Sequence, residues 1–357
     1  MNYRVFIKYF PFILVVYHLV FAWFAYDYVN QNNGDAVRYW FVGVDLSRSS
    51  WFDFLYPGTS TIYFLNYPLV YYLNLSPLLG CFLYSAWSGY GFYRLGNLVK
   101  PYLVRFNFFS GSLLLLLVLP NAHFWSSLIG KEAILFLPMV ILAEGIYRGG
   151  YLGLPMILSF LLIAWIRPHL AFVVLVAFMV ALIAKGEIYR KIKMGLIIAG
   201  TISIAGLYYL LEKITNAKDG LLPKIQRLYE AHNLKLKETS AYVPLEDYVY
   251  PYKLFTFYFR PLPLERNGMY YQIIGIENLL FLVLFLGMIY LLIRHFKNLN
   301  WTVFPIFSIL FLILYGTMLA YGYANFGMIV RAKALVLPIV FFLMVFILGK
   351  KNTKPGY

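Results

Sequence analysis

The stretch "LPNAHFWSSLIGKEAILFLPMVIL", residues 119–142, decides how the chain is read. It is apolar enough to lie in a bilayer, yet it carries Lys131 and Glu132 side by side, with His123 upstream. An ionised side chain in hydrocarbon costs about 2.5 kcal/mol or more. The pair therefore marks either a water boundary or a site. Pro120 and Asn121 read as the turn and cap that open a helix. His123, Ser127 and Lys131, four apart, then share one face of it, with Lys131 about 12 Å of helix beyond His123.

The rest of the chain has the same character. Of 357 residues, 62% are hydrophobic and only 13% charged, against about 25% charged in a soluble domain. Runs such as "SLLLLLVL" and "LLFLVLFLGMIYLLI" lack the period-two alternation of barrel strands. The expectation is an all-α, polytopic transmembrane protein, one integral membrane domain over residues 1–357. About ten spans are expected, over 9–28, 76–96, 103–119, 124–147, 152–167, 169–186, 194–212, 271–294, 300–322 and 332–349. The first apolar segment follows a short basic start, lacks a small-residue cleavage site and reads as a retained anchor. The single cysteine, Cys81, excludes an intrachain disulfide or a cysteine metal cluster.

Charge sets the orientation. With both termini cytoplasmic, half of the 30 Lys and Arg fall inside beside only two acids, Glu144 and Glu187. The other half fall outside with the remaining acids, so the net +15 is the positive-inside signal and not a nucleic-acid footprint. Two outer segments are long. Residues 29–75 contain "PGTSTIYFLNYPLVYYLNLS", suited to helices lying in the aromatic-rich interface. Residues 213–270 contain "LLPKIQRLYEAHNLKLKE", an amphipathic helix with apolar positions at 221, 222, 225, 228 and 229.

On this topology the unusual polar groups gather at the outer face. "NNGDAVRYW" brings Asp35 and Arg38; "AWIRPHLAF" brings Arg167 and His169; "YFRPLPLERNG" brings Arg260, Glu265 and Arg266. "YGYANFGMIVRAK" adds Arg331 and Lys333. Interfacial Arg and Lys commonly snorkel, and lone His18 reads as a packed core histidine. Convergence of five separate segments on one face is harder to explain that way. Clustered cations suit an anion, and Arg suits bidentate phosphate recognition. An acid amid Tyr and Trp suits a sugar. Sugar transfer from a polyprenyl phosphate or pyrophosphate unites the two: a carboxylate activates the acceptor hydroxyl and cations stabilise the departing phosphate.

"NNGDAVRYW" followed by the partly matching "LNYPLVYYL" resembles the start of the GT-C superfamily of integral membrane glycosyltransferases, over roughly residues 1–150. That resemblance implies Asp35 as the general base and inversion at the anomeric carbon. The downstream pattern, with the 213–270 loop and Arg167, Arg260 and Arg331, is similar to polysaccharide polymerases of the Wzy and EpsG kind. Both act on the outer face with a lipid-linked donor, and differ in whether one sugar or a repeat unit moves.

The candidate site is accordingly Asp35 as base and Lys131, His123, Arg167, His169, Arg260 and Arg331 as phosphate cradle. Arg38, Tyr39, Trp40, Glu132 and Glu265 are the candidate substrate contacts. Expected partners are the polyprenyl-linked donor, a glycan or lipid acceptor and membrane lipids; the expected location is a bacterial inner membrane. No cofactor or metal is expected, since the five histidines lack ligand spacing and a divalent ion at Asp35 has no support. A carrier for a lipid-linked saccharide is the rival of another class, although no internal repeat or mid-span acid is seen. A structural membrane subunit would leave the polar cluster unexplained.

Overall fold

The computed structural model describes residues 3–31, 35–41, 49–104, 108–151, 153–195, 197–198, 200–202, 223, 227, 230–231, 234–239 and 241–349. Among these residues all regular elements are helical, and the β-type pairing is an isolated bridge between Tyr242 and Asn325. The chain divides into two compact units. The first comprises Met1–Val173, Pro261–Asn300 and Val330–Tyr357; the second comprises Val174–Arg260 and Trp301–Ile329.

The first unit is built on α1 (Tyr3–Gln31) packed along α4 (Pro77–Leu103). Helix α1 buries Pro11, Leu14, His18, Ala22, Ala25 and Val29, a three-and-four spacing that makes one stripe. Helix α4 answers with small residues, among them Ser85, Ser88, Gly89 and Gly96. A Cβ on Gly96 would come 3.0 Å from Pro11 Cα, so the backbones approach closely. Packing through small residues is the means by which helices associate where lipid removes the hydrophobic drive between them.

Behind this pair lie α7 (Lys131–Tyr147) and α14 (Leu337–Gly349), which contact each other. Helix α14 is buried on all sides along most of its length, as a wholly apolar central helix must be. At one end of α7, Glu144 takes Arg94 at 2.7 Å and Arg148 at 2.9 Å. Short elements complete the unit. They are α2 (Asp35–Phe41), a 3-10 turn (Trp51–Phe54), α3 (Ser60–Tyr67), a π turn (Pro68–Tyr72), α5 (Phe108–Val118), α6 (Pro120–Ser127) and α8 (Leu154–Ile166). The start of α9 (Pro168–Lys185) and the long α11 (Met269–Arg294) also belong here.

In the second unit α10 (Tyr250–Phe259) packs on α12 (Val303–Gly322). Gly316 makes room for Tyr258, whose ring would lie 2.7 Å from a Cβ there. Helix α13 (Phe326–Lys333) straddles the division between the units.

Helix length does not deliver the ten expected crossings. Among the described residues four helices, α1, α9, α11 and α12, are long and apolar enough to cross a membrane. There are five if α13 and α14, bent by 48°, count as one span. The shortfall has local causes. The expected spans 103–119 and 124–147 are divided among shorter helices, and α8 has 13 residues, about 20 Å of rise. Most of the expected span 194–212, and positions 221, 222, 225, 228 and 229 of the expected amphipathic helix, lie outside the described residues. Helices α1 and α11 do expose apolar surface in quantity, as at Val16, Val20, Trp23 and Phe24 of α1 and Ile276, Leu279, Val283 and Leu286 of α11, whereas α12 is largely buried. Contiguous apolar faces on this scale mark contact with lipid or another protein.

Candidate functional site

The opening stretch does not form one helix. Helix α6 stops at Ser127, Leu128 and Gly130 are extended, and α7 begins at Lys131. His123, Ser127 and Lys131 therefore do not share a helix face, and the 12 Å of continuous helix between His123 and Lys131 is not there. The periodicity runs on through Gly130 in the sequence, but the backbone breaks at that residue.

The break sets Glu132 in the first turn of α7, where the helix dipole favours an acid. Its side chain is about 2% exposed and is held between two arginines. One carboxylate oxygen accepts from Arg167 Nη2, and Arg331 Nε lies 2.6 Å from the other. Arg331 reaches on through Nη1 to Asp35 Oδ2 at 3.3 Å, joining residues 296 apart in the chain. Its guanidinium lies 5.7 Å from the Trp125 ring, a cation–π distance. Lys131 is half-buried within electrostatic reach of Arg167, Glu132, Arg331 and Asp35. His169, exposed, is within reach of Arg167 and Lys131. Three basic side chains, Lys131, Arg167 and Arg331, thus face two carboxylates.

Gly130 lies close to Arg331, since a Cβ there would come 3.2 Å from Arg331 Nη2. Helix α2 is braced from behind. Asn66 donates to the Tyr39 carbonyl at 2.8 Å and accepts from the Tyr84 hydroxyl at 2.8 Å. The Tyr39 ring meets Tyr63 edge-on, and burial raises its phenol above the usual value while Arg331 pulls the other way. Arg331 has its own brace. Asn121 Nδ2 donates to the Val330 carbonyl at 2.9 Å, and Asn121 N donates to Glu277 Oε2 at 2.7 Å. Lys333 Nζ donates to Asn278 Oδ1 at 2.5 Å. All these residues belong to the first unit.

The structure thus brings together Asp35, Tyr39, Lys131, Glu132, Arg167, His169 and Arg331, with Arg38 exposed on the same helix as Asp35. It does not bring in His123. That ring is buried, 3.0 Å from His18 through the Nδ1 atoms, and its Nε2 donates to the Leu117 carbonyl at 2.7 Å. Phe92 stacks on it at 3.9 Å, and His18 sits 2.8 Å from Ser88 Oγ, so both histidines are core residues. Trp40 is also core: a Cβ on Gly80 would come within 2.3 Å of its ring. Glu265 is exposed and accepts from Leu262 N in its own loop. Arg260 belongs to the second unit, where Tyr248, Tyr252 and Phe326 rings lie 5.4–5.7 Å from its guanidinium.

Sequence reading missed Trp125, Gly130 and the brace of Asn66, Asn121 and Glu277. Asn121 was visible only as a helix cap, and nothing local in the sequence ties Glu277 to it. Among the described residues no group of three or more His, Cys, Asp or Glu is placed to hold a metal. No protein-family model, no curated protein and no solved structure matches the chain.

Proposed function

We propose that this chain is a multi-pass glycosyltransferase of a bacterial inner membrane. It takes a sugar from a polyprenyl phosphate or pyrophosphate donor at the extracytoplasmic face during glycan assembly. About ten crossings with both termini cytoplasmic put Asp35 and Arg331 on that face, and the shorter helices α5, α7 and α8 then cross where the bilayer is locally thinned. The observation that carries the reading is the Arg167–Glu132–Arg331–Asp35 chain, with Lys131 beside it. A guanidinium has five N–H donors in a fixed fork. An arginine anchored by a buried carboxylate is therefore preorganised for a phosphate. Glu132 orients Arg167 and Arg331, the cations take up the negative charge that develops on the leaving phosphate, and exposed Asp35 removes the proton of the acceptor hydroxyl. Tyr39, Arg38 and His169 line the approach. Repeat-unit polymerisation is the same chemistry with a longer glycan.

A second reading, a carrier of lipid-linked saccharide, draws on one observation: a buried acid at a helix break, Glu132 after Leu128–Gly130. Proteoliposomes holding purified lipid-linked donor and acceptor separate the two. The enzyme reading expects new glycosidic bonds and release of polyprenyl phosphate or pyrophosphate. Movement of intact donor across the bilayer without bond formation would establish the carrier instead.

A further inference from the structure

In the first unit α1, the start of α6 and the start of α11 line an open-sided cavity of about 450 Å³. Phe24, Tyr28, Phe124, Tyr270 and Ile273 make its walls, and its polar rim is Asp27 and Gln31, which bond to each other at 2.8 Å. We propose that this cavity receives the phosphate-proximal part of a single isoprenoid chain whose headgroup lies on Arg331. The proposal rests on the reading of the Arg331 cluster as a lipid-phosphate site.

Three observations carry it. One indole stands between the cavity and the cation cluster: the Tyr28 ring of the cavity wall lies 6.1 Å from Trp125, and Arg331 lies 5.7 Å from the same indole. A ligand anionic at one end and apolar beyond it matches that succession of surfaces. Two of the lining side chains, Phe24 of α1 and Ile273 of α11, are themselves largely exposed, as is Ile276 one turn along α11, so the cavity adjoins an exposed apolar face. The volume sits in the lower part of the range of about 300–1,000 Å³ seen for ligand sites. That suits one chain segment, whereas a diacyl lipid brings two chains to its headgroup.

The test uses the full-length protein in detergent and four probes: farnesyl phosphate, farnesol, inorganic phosphate and dioctanoyl phosphatidic acid. Ile273→Trp fills the cavity without touching the cations. It is expected to weaken farnesyl phosphate and farnesol binding at least tenfold and to leave inorganic phosphate unchanged, while Arg331→Ala weakens both phosphate probes. Farnesyl phosphate binding I273W as tightly as wild type, with R331A still impaired, would overturn the cavity assignment and leave the phosphate site standing. No effect of R331A on either phosphate probe would overturn both. Phosphatidic acid binding as tightly as farnesyl phosphate and being blocked by I273W would overturn the isoprenoid assignment. A diazirine-bearing farnesyl phosphate on the unaltered protein gives a measurement free of folding effects. Adducts are expected within residues 21–28 and 269–274, and adducts confined to 154–161 would contradict the proposal.

Discussion

Glu132 is the residue on which two arginines depend, and its removal should be felt by both. Glu132→Gln leaves buried Arg167 without its carboxylate and part-buried Arg331 with Asp35 alone, and breaking a buried pair such as Arg167–Glu132 costs about 3–5 kcal/mol. A lowered thermal midpoint in detergent is expected for E132Q. In E132Q/R167Q the loss should be less than the sum of the two single losses, because the second change removes an unpaired charge. Additive losses would mean that the two side chains do not interact. The cations themselves were legible in the sequence, since Arg167 and Arg331 stood out as charges in apolar surroundings. Their partner was not. Glu132 sits next to Lys131 in the chain, and only the break at Gly130 turns it towards arginines from α13 and the α8–α9 turn. His123 misled for the same reason. Its four-residue spacing to Ser127 and Lys131 has meaning on a continuous helix, and the helix ends between them.

At the scale of elements, the position of Asp35 depends on how α2 is seated. Trp40 lies against Gly80, where a Cβ would meet the ring at 2.3 Å, and overpacking of this kind costs about 1–3 kcal/mol. Gly80→Ala is expected to destabilise the protein by that order, read from thermal unfolding. It should also lower glycosyl transfer by shifting α2 and with it Asp35. Activity unchanged in G80A would show that α2 need not be held in register. Asn66→Leu removes both bonds of the brace, to the Tyr39 carbonyl and from the Tyr84 hydroxyl, and is expected to reduce activity more than a surface change such as Asp53→Asn. The helices α1 and α11 were plain in the sequence because long apolar runs state themselves. The α6–α7 break was not, because a lone Gly inside a periodic run is compatible with a continuous helix.

For the molecule as a whole, the claim of orientation is open to direct labelling. Cys81 is the single cysteine and is buried, so introduced cysteines report alone. Cysteines replacing Asp53 and Glu246 are expected to react with an impermeant maleimide from outside intact spheroplasts, and one replacing Lys297 only after lysis. The reverse pattern would invert the topology. In the sequence this orientation rests on charge asymmetry, and the number of crossings on hydropathy. Hydropathy alone cannot tell a 13-residue apolar helix such as α8 from a full span. Glycosyl transfer with Asp35 as base is tested most directly by single-turnover release of polyprenyl phosphate or pyrophosphate from a radiolabelled lipid-linked donor by wild type and Asp35→Asn in liposomes, with donor binding followed in parallel. Donor binding within a few-fold of wild type, with release lowered at least a hundredfold in D35N, is the expected result. Release by D35N at the wild-type rate would contradict it.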